Sequence, residues 1–292
     1  MIAGGKPRWT SDGAGWPHRD ASAFISAGGV KWHLQRYGSG PAILFVHGTG
    51  ASSHSFADLG DLLASDFTIL APDLPGHGFS STPAGSAMTL PGMARALGAL
   101  INAIDVQPHL IVGHSAGAAI MIEGVAEKYL APRGALSING ALAPFGGAGA
   151  FMFPMMAKLL ALNPFVPAVF AQSAQRRERI EGLIKGTGSI VPARNIELYA
   201  RLLRRSGHVS GALTMMANWN LEPLQGKLRT LDLDVVFAAG GRDRAVPPQL
   251  AADAAKIAAK GEHIVYPSLG HLAHEEDPLS FATLIRKIAA KR

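Results

Sequence analysis

The sequence contains no cysteine, and charged residues make up only 16% of its 292 residues. The absence of cysteine excludes a disulfide-stabilised scaffold and a thiolate metal site. The small share of charge, beside 48% hydrophobic residues, excludes a disordered and highly solvated chain. The length suffices for one large α/β domain or two small ones with a substantial core.

A long uninterrupted hydrophobic run is also lacking. Residues 1–20 contain no apolar segment of the kind that a secretory signal requires. The most apolar stretch, Ala141–Ala171, is interrupted by glycines, prolines and a lysine, which argues against a membrane-spanning helix. We therefore expect a cytoplasmic protein, with peripheral contact to a membrane surface as an open alternative.

The net charge of +6 is concentrated in one internal segment. Residues 144–230 contain 11 Lys and Arg against 4 Asp and Glu, whereas the rest of the chain is nearly balanced. This segment could attract an anionic ligand or an anionic membrane surface. Nucleic acid is not an expected partner, because no basic stripe is interleaved with aromatic residues and no nucleic-acid-binding motif is present.

Short apolar runs alternate with segments of helical periodicity, which predicts an α/β fold with a mostly parallel, doubly wound sheet. Runs without polar alternation indicate strands that are covered on both faces. The predicted strands are Phe24–Ser26, Val30–Tyr37, Ala42–Val46, Thr68–Ala71, Leu110–Val112, Ala135–Ile138, Val235–Ala238 and His263–Tyr266. The predicted helices are Phe56–Ala64, Leu90–Ile104, Ala116–Tyr129, Pro248–Ala259 and Leu279–Ala290.

The alternation stops between residues 144 and 227, where no strand pattern is present. We interpret residues 144–227 as a helical cap on the carboxyl-terminal edge of the sheet. Residues 21–143 and 228–292 then form the core, and residues 1–20 form an irregular N-terminal arm on the surface.

The motif Gly113-His114-Ser115-Ala116-Gly117 follows a predicted strand and begins a predicted helix. This is the context of a nucleophile elbow, a sharp turn that exposes a serine and needs small neighbours. The N-terminus of the following helix favours developing negative charge. The pattern predicts Ser115 as a nucleophile, although the same five letters can occur by chance in a glycine-rich chain.

A serine needs a base to become a nucleophile, and His271 is the best candidate because it follows the last predicted strand. Asp243 follows the preceding strand and suits the carboxylate that fixes the imidazole tautomer. Both residues lie at carboxyl ends of strands, where their side chains can meet. His274 is a weaker candidate for the base, and its neighbourhood matches no strong metal-ligand pattern, so we expect no metal and no cofactor in this chain.

Two backbone N–H groups are expected to form an oxyanion hole. One belongs to Ala116, the residue after the nucleophile, and the other to Thr49 in the loop His47-Gly48-Thr49-Gly50. His47 itself is interpreted as a buried histidine that stabilises this loop.

Further candidates for substrate binding lie near that loop and in the cap. His54 and His208 could face a pocket, although a buried structural role is the stronger alternative. The Phe and Met residues of the cap could form either an ordinary core or an adaptable apolar pocket wall. The nearby arginines could either bind an anionic group of a ligand or form a solvated helix face. The pocket candidates are His54, Phe151, Met152, Met155, Met156, Arg176 and Arg177.

These motifs together resemble those of the α/β-hydrolase superfamily, across nearly the full chain. The motifs in chain order are HGTG, DLPGHG, GHSAG, GRD and LGH. The resemblance implies the α/β-hydrolase fold and the triad order Ser115, Asp243, His271. A serine at the elbow argues against haloalkane dehalogenases and epoxide hydrolases, which use aspartate there.

A closer resemblance is to the magnesium-chelatase accessory proteins of bacteriochlorophyll biosynthesis (BchO type), from about residue 16 to the C-terminus and including the cap. It depends on the segments WPHRDAS, HGTGASSHSF, APDLPGHGFS, LPGMARAL, VGHSAGAAI, NGALAPFGG, NPFVP, GHVSGALTMMANW and GHLAHEEDP. It implies a role near magnesium insertion into protoporphyrin, magnesium-chelatase subunits as partners, and a location in the cytoplasm or at the photosynthetic membrane. A tetrapyrrole with anionic propionates would then be the substrate or ligand, and Mg²⁺ would be cargo of the chelatase.

Three functions follow as hypotheses. The first is a serine hydrolase that acts on an apolar ester-type bond through an acyl-enzyme on Ser115. The second is a non-catalytic accessory protein that binds porphyrin or chelatase and retains the triad. The third is a generic carboxylesterase or lipase, and fold alone does not decide among them.

Overall fold

The centre of the molecule is a single eight-stranded sheet, in a computed structural model that describes residues 5–83, 85–144, 163 and 165–291. The strands are β1 Ser22–Ala27, β2 Val30–Gly38, β3 Ala42–Val46, β4 Thr68–Pro72, β5 Leu110–His114, β6 Gly134–Ile138, β7 Val235–Gly240 and β8 Gly261–Tyr266. Their order in space is β1-β2-β4-β3-β5-β6-β7-β8.

All neighbouring pairs from β4 to β8 in that order are parallel, and β2 runs antiparallel to both β1 and β4. The central strands β3, β5, β6 and β7 are buried along their whole length, as their unbroken apolar sequences predict. The prediction of a mostly parallel α/β sheet is therefore confirmed. The edge strand β8 differs from its expected full burial: it has a neighbour on one side only, and all six of its residues are exposed or half-buried.

Helices cover both faces of the sheet, and the sheet divides the hydrophobic core into two layers. One layer packs under α2, α3, α8 and α9, and the other under α1, α10 and α11. The helices are α1 Ala57–Leu63, α2 Leu90–Ala103, α3 Ala116–Ala126, α4 Val166–Ser173, α5 Arg177–Gly186, α6 Ala193–Leu203, α7 Ser206–Ala217, α8 Leu224–Thr230, α9 Gln249–Ile257, α10 Ala273–Glu276 and α11 Pro278–Ala290.

Local sequence signals explain where the longer core helices begin. The Thr89 hydroxyl accepts a hydrogen bond from the Gly92 N–H over 3.2 Å and caps α2. The Asp277 carboxylate accepts from the Ser280 N–H over 3.1 Å and caps α11, where Pro278 occupies the first position of the helix. Both caps satisfy amides that have no acceptor inside the helix, and proline is tolerated at such a first position.

Helices α4 to α8 lie between β6 and β7 in the chain. The helix α6 shows how they pack, because its apolar residues Leu198, Leu202 and Leu203 are buried while Arg194 is exposed. This one-sided pattern is that of an amphipathic helix whose apolar stripe faces the interior. Together with loops at the carboxyl edge of the sheet, α4 to α7 line a cavity.

Residues 5–20, the described part of the N-terminal arm, are mostly irregular, but part of this segment is buried, which differs from the surface position expected for it. Trp16 is 3% exposed and packs with Phe79 of the core and with Leu198 and Leu202 of α6. A large indole is buried here because core and cap each supply apolar surface to it.

Polar contacts also connect the arm to α6 and to the start of α7. The Arg205 guanidinium forms an ion pair with Asp12, and the Gly207 N–H donates to the Gly5 carbonyl over 3.0 Å. Arg201 donates to the Ala14 carbonyl over 2.6 Å. Part of the basic excess between residues 144 and 230 is therefore used in contacts within the chain.

Among the described residues, no helix is long and apolar enough to cross a membrane.

Truncation of Trp16 tests whether the arm joins cap and core. We expect Trp16→Ala to lower the free energy of unfolding by about 3 kcal/mol or more, the usual cost of removing a buried aromatic side chain. Urea unfolding followed by circular dichroism measures this change. Leu279→Ala, at a position 63% exposed, is the control and should change stability little. Equal, small effects of both substitutions would contradict the assignment of a joining role to Trp16.

Candidate active site

Ser115 lies at the turn between β5 and α3 with φ 53° and ψ −119°. A positive φ is unfavourable for a residue with a side chain and persists only when the surroundings enforce it. Here the Ser115 N–H donates to the Ile138 carbonyl over 3.0 Å, and the Ala141 N–H donates to the Ser115 carbonyl over 3.1 Å. Both backbone groups of the serine are thus fixed by the end of β6 and the residues that follow it.

The glycines of the elbow are required by close packing. A Cβ atom on Gly113 would lie 2.6 Å from the Ala118 Cα, and one on Gly117 would collide with the Val46 carbonyl. A Cβ on Gly48 would lie 2.9 Å from the Ser115 Cβ. The sequence pattern around the serine therefore reflects how closely β3, β5 and α3 approach one another.

His271 and Asp243 meet above the ends of β8 and β7, and the distance from His271 Nδ1 to Asp243 Oδ2 is 2.7 Å. A carboxylate only accepts hydrogen bonds, so Nδ1 carries a proton, and in the neutral imidazole Nε2 is the nitrogen with the free lone pair. The other carboxylate oxygen, Oδ1, accepts from the N–H groups of Ala245 and Val246 over 2.7 and 2.9 Å. The Asp243 side chain is fully buried, and Ser115 and His271 line the same cavity.

Two residues next to this group were missed by the sequence analysis. Asn139 donates from Nδ2 to Asp243 Oδ2 over 2.7 Å, and His114 donates from Nε2 to the His271 carbonyl over 2.9 Å. Burial lowers the pKa of His114 well below its usual value, so its imidazole is neutral and buried against the ring of His271. Position was their one signal, since Asn139 directly follows the predicted strand Ala135–Ile138 and His114 comes two residues after the predicted strand Leu110–Val112.

The predicted oxyanion residues also border the cavity. Ala116 is the first residue of α3, where a backbone N–H has no acceptor inside the helix. Thr49 lies in the loop after β3. That loop is held by His47, whose Nε2 accepts from the Leu74 N–H over 2.8 Å and whose Nδ1 donates to the Gly48 carbonyl over 2.8 Å. The roles of Thr49 and Ala116 as donors to an oxyanion stay predictions.

His208 connects the cap to the same region from outside the cavity. Its Nδ1 accepts from the Gly78 N–H and its Nε2 donates to the Gly50 carbonyl, each over 3.0 Å. Burial lowers the pKa of His208 to about 4. The neutral ring thus joins α7 to two loops of the core, and Gly50 is itself a lining residue of the cavity.

The cavity has a volume of about 700 Å³ and walls that are mainly apolar. The core contributes its floor, with Thr49, Ser115, Ala116 and His271. The cap side is made of Val166, Phe170, Leu183, Ile184, Leu203, Val209, Leu213, Met216 and Trp219. Among the described residues that line the cavity, Glu222 is the one acidic side chain and none is Lys or Arg.

The predicted substrate-binding residues that the structure describes do not line this cavity. Phe151, Met152, Met155 and Met156 lie outside the described residues. The others that were proposed (His54, Arg176 and Arg177) are described, and none of them lines the cavity.

Amphipathic packing of α5 explains the positions of the two arginines. The apolar residues Ile180 and Ile184 are buried, while Arg176 and Arg177 lie in solvent, where the Arg177 Nε pairs with Glu181 over 2.8 Å. The sequence left open whether these arginines bind an anionic group or form a solvated helix face, and their positions match the solvated helix face.

His54 occupies a buried position behind the cavity wall. It is 1% exposed, its Nδ1 lies 2.7 Å from the Ser52 hydroxyl, and its ring packs on Tyr199 and Trp16. Burial lowers the pKa of His54 to about 3, so the ring is neutral.

A buried carboxyl, Glu275, lies on α10 four residues after His271. It accepts hydrogen bonds from Ser55 Oγ over 2.5 Å, from the Tyr199 hydroxyl over 2.7 Å and from Asn195 Nδ2 over 2.9 Å. These three donors are uncharged, and burial raises the pKa of Glu275 to about 7 despite them. Because Asn195 and Tyr199 belong to α6 and Tyr199 lines the cavity, this cluster joins the cap to the helix that follows the candidate base.

The raised pKa of Glu275 predicts a pH-dependent stability. The folded protein retains this proton up to about pH 7, whereas the unfolded chain releases it near pH 4.5, so stability is lost as the pH rises between these values. We expect the free energy of unfolding to fall over that range by about 3 kcal/mol more than in Glu275→Gln. Urea unfolding of both proteins at several pH values measures the difference. Parallel stability profiles would contradict the assignment.

Residues 43–284 match the alpha/beta hydrolase family. The magnesium-chelatase 30 kDa subunit of Rhodobacter capsulatus is 39% identical over 264 residues, which cover 90% of this chain and 92% of that protein. Both resemblances drawn from the sequence are thereby confirmed.

Solved structures show the same fold at low sequence identity. A thermophilic esterase from Thermogutta terrifontis superposes with a TM-score of 0.75 at 20% identity, covering 92% of this chain and 98% of that one. The epoxide hydrolase CorEH superposes with a TM-score of 0.78 at 18% identity, with the same coverage of 92% and 98%. At these identities the likeness concerns the fold alone.

Proposed function

This chain belongs to the alpha/beta hydrolase family, and on that premise we propose that it is a serine hydrolase that cleaves an ester-type bond of an apolar substrate. The proposal depends above all on one observation. The His271 imidazole is held by the fully buried Asp243 carboxylate at 2.7 Å, and it lines the same cavity as Ser115, which occupies a strained turn.

The proposed reaction begins with attack of Ser115 Oγ on the acyl carbon of the ester. His271 Nε2 takes the serine proton, and Asp243 stabilises the imidazolium that forms. The oxygen of the tetrahedral intermediate accepts hydrogen bonds from the N–H groups of Ala116 and Thr49. The C–O bond of the ester then breaks, the alcohol leaves with the proton from His271, and water releases the acid from the acyl-enzyme by the same steps.

The walls of the cavity support an apolar substrate. Cap side chains such as Phe170, Leu203 and Trp219 surround the space above Ser115, and burial of a ligand against them provides most of the binding free energy. An anionic group of the substrate would find no cationic side chain among the described lining residues. A substrate with propionates would therefore direct them toward the opening rather than toward these walls.

Association with magnesium chelatase is the second part of the proposal. It is supported by the 39% identity with the magnesium-chelatase 30 kDa subunit, which extends over 90% of this chain and includes the cap. We propose a role beside the chelatase in bacteriochlorophyll synthesis, with a tetrapyrrole ester as the substrate. A non-catalytic accessory protein that binds porphyrin or chelatase is the alternative, and a generic carboxylesterase is a further one.

Labelling by a fluorophosphonate tests the hydrolase. We expect one covalent adduct by intact mass on the parent protein, none on Ser115→Ala, and almost none on His271→Ala. Hydrolysis of a short p-nitrophenyl ester should fall on the order of a million-fold in both variants, because the triad serine and histidine act as a unit. His263→Ala, which changes an exposed histidine on β8, is the matched control and should label like the parent. A folded parent that forms no adduct would contradict the proposal.

Porphyrin binding distinguishes the accessory alternative. If the protein only binds its ligand, the Soret band of protoporphyrin should shift by the same amount when either the parent or Ser115→Ala is added. Neither protein should then hydrolyse the ester. If the tetrapyrrole ester is a substrate, the parent should release the acid and Ser115→Ala should retain the uncleaved ester. Absorption spectra and chromatography of the products measure the two outcomes.

A further inference from the structure

Asn139 is the first residue after β6, at the same edge of the sheet as Asp243 and His271. Its φ is 48°, and its N–H donates to the Ala238 carbonyl over 2.8 Å. Asparagine is one of the few residues besides glycine that adopts this left-handed conformation at small cost. The side chain therefore starts from a fixed backbone position, and it is only 2% exposed.

The Asn139 amide faces two acceptors. Nδ2 donates to Asp243 Oδ2 over 2.7 Å and to the Gly270 carbonyl over 3.3 Å. Rotating the amide by 180° would place its oxygen against both acceptors, so the hydrogen bonds themselves fix its orientation. Within the described part of the chain, the amide oxygen Oδ1 is buried without a partner. An apolar residue would fill this space without such an unpaired acceptor, which indicates that the donor is what the site needs.

This amide completes the set of donors around the carboxylate. Asp243 Oδ2 accepts from Asn139 and His271, while Oδ1 accepts from two backbone N–H groups. Four donors match the four lone-pair sites of a carboxylate, so rotation of the group would break hydrogen bonds at both oxygens. The second N–H of the Asn139 side-chain amide donates to the carbonyl of Gly270, the residue directly before His271.

The backbone around Asn139 also holds the serine. The Ile138 carbonyl accepts from the Ser115 N–H, and the Ala141 N–H donates to the Ser115 carbonyl. Residues 138–141 therefore contact the backbone of Ser115, the carboxylate of Asp243 and the loop of His271.

We propose that Asn139 is a positioning residue, an inference that rests on the proposed function. Its side-chain amide fixes the Asp243 carboxylate and the His271 loop relative to Ser115, so that Nε2 stays aligned with the serine hydroxyl. Asn139 does not touch the substrate, and its effect passes through Asp243 and Gly270.

Asn139→Gly removes the amide and suits the backbone, because glycine readily adopts φ 48°. We expect kcat for a p-nitrophenyl ester to fall roughly 100-fold, the cost of misplacing a catalytic group by about 1 Å. KM should stay within about two-fold, because the lost contact orients the reacting groups and binds no substrate. An unchanged kcat would overturn the proposal.

Asn139→Asp keeps the shape and the φ and replaces the donor by a carboxyl group. While protonated, this group still donates to Asp243, but once ionised it repels it. The loss of kcat relative to the parent should therefore be larger at pH 9 than at pH 6. Asp243, His271, Glu276 and His114 surround the position in both proteins, so the ratio isolates the introduced group. An equal loss at both pH values would indicate a purely structural role and overturn the proposal.

Asn195→Asp is the matched control, because it makes the same change to a buried amide that donates to Glu275. Its kcat should stay within about two-fold of the parent. A loss as large as that of Asn139→Asp would show that any buried Asn-to-Asp change disturbs the site, and it would overturn the specific role of Asn139.

A measurement without turnover separates this inference from the proposed function. The hydrogen-bonded Nδ1 proton of His271 should give a downfield proton NMR signal, assigned by its loss in His271→Ala. In Asn139→Gly we expect the signal to shift upfield or to broaden through exchange with water. If the parent neither labels nor turns over ester, the proposed function fails. The NMR signal alone then decides whether Asn139 positions Asp243 and His271. A signal unchanged in Asn139→Gly overturns the positioning role.

Discussion

Ser115 holds a backbone conformation that L-residues avoid, and much of the surrounding structure is arranged to enforce it. The strands β3 and β5 approach α3 so closely that Gly113 and Gly117 have no room for a side chain. The end of β6 and the residues after it then fix both backbone groups of the serine by hydrogen bonds of 3.0 and 3.1 Å. Strain at one residue is stable here because the cores on both faces of the sheet hold the neighbouring elements in place. The result is a half-buried serine at the start of a helix, where it borders the cavity.

Buried carboxyl groups near this turn differ in charge state because their donors differ. Burial alone would raise the pKa of Asp73, but the His33 imidazole and backbone N–H groups hold it well below its usual range. Glu275 is equally buried and has three neutral side-chain donors, so burial raises its pKa to about 7. A chain with few charges thus places several of them in the interior, where hydrogen-bond partners decide between an anion and a neutral acid. Asp73 fixes loops of the core, and Glu275 joins the core to the cap.

The cap combines an apolar inner surface with a basic outer one. Its inner side chains line the cavity above Ser115, while Arg201 and Arg205 turn outward and contact the N-terminal arm. Charge along the sequence therefore did not predict charge inside the site, since an amphipathic helix separates its two faces. The cavity is lined mainly by apolar side chains, and the arm and His208 hold the cap against the core.

The sequence by itself determined the alternation of strands and helices, the elbow around Ser115, and the positions of Asp243 and His271 after their strands. These are local signals: hydrophobic periodicity, small residues at a sharp turn, and polar residues directly after apolar runs. Tertiary structure alone decided the rest. Asn139 and His114 belong to the site because they contact residues more than 100 positions away in the chain. The His54 ring is buried behind the cavity wall. Periodicity and spacing report which face of an element is buried, but the partner across that face depends on how distant segments pack.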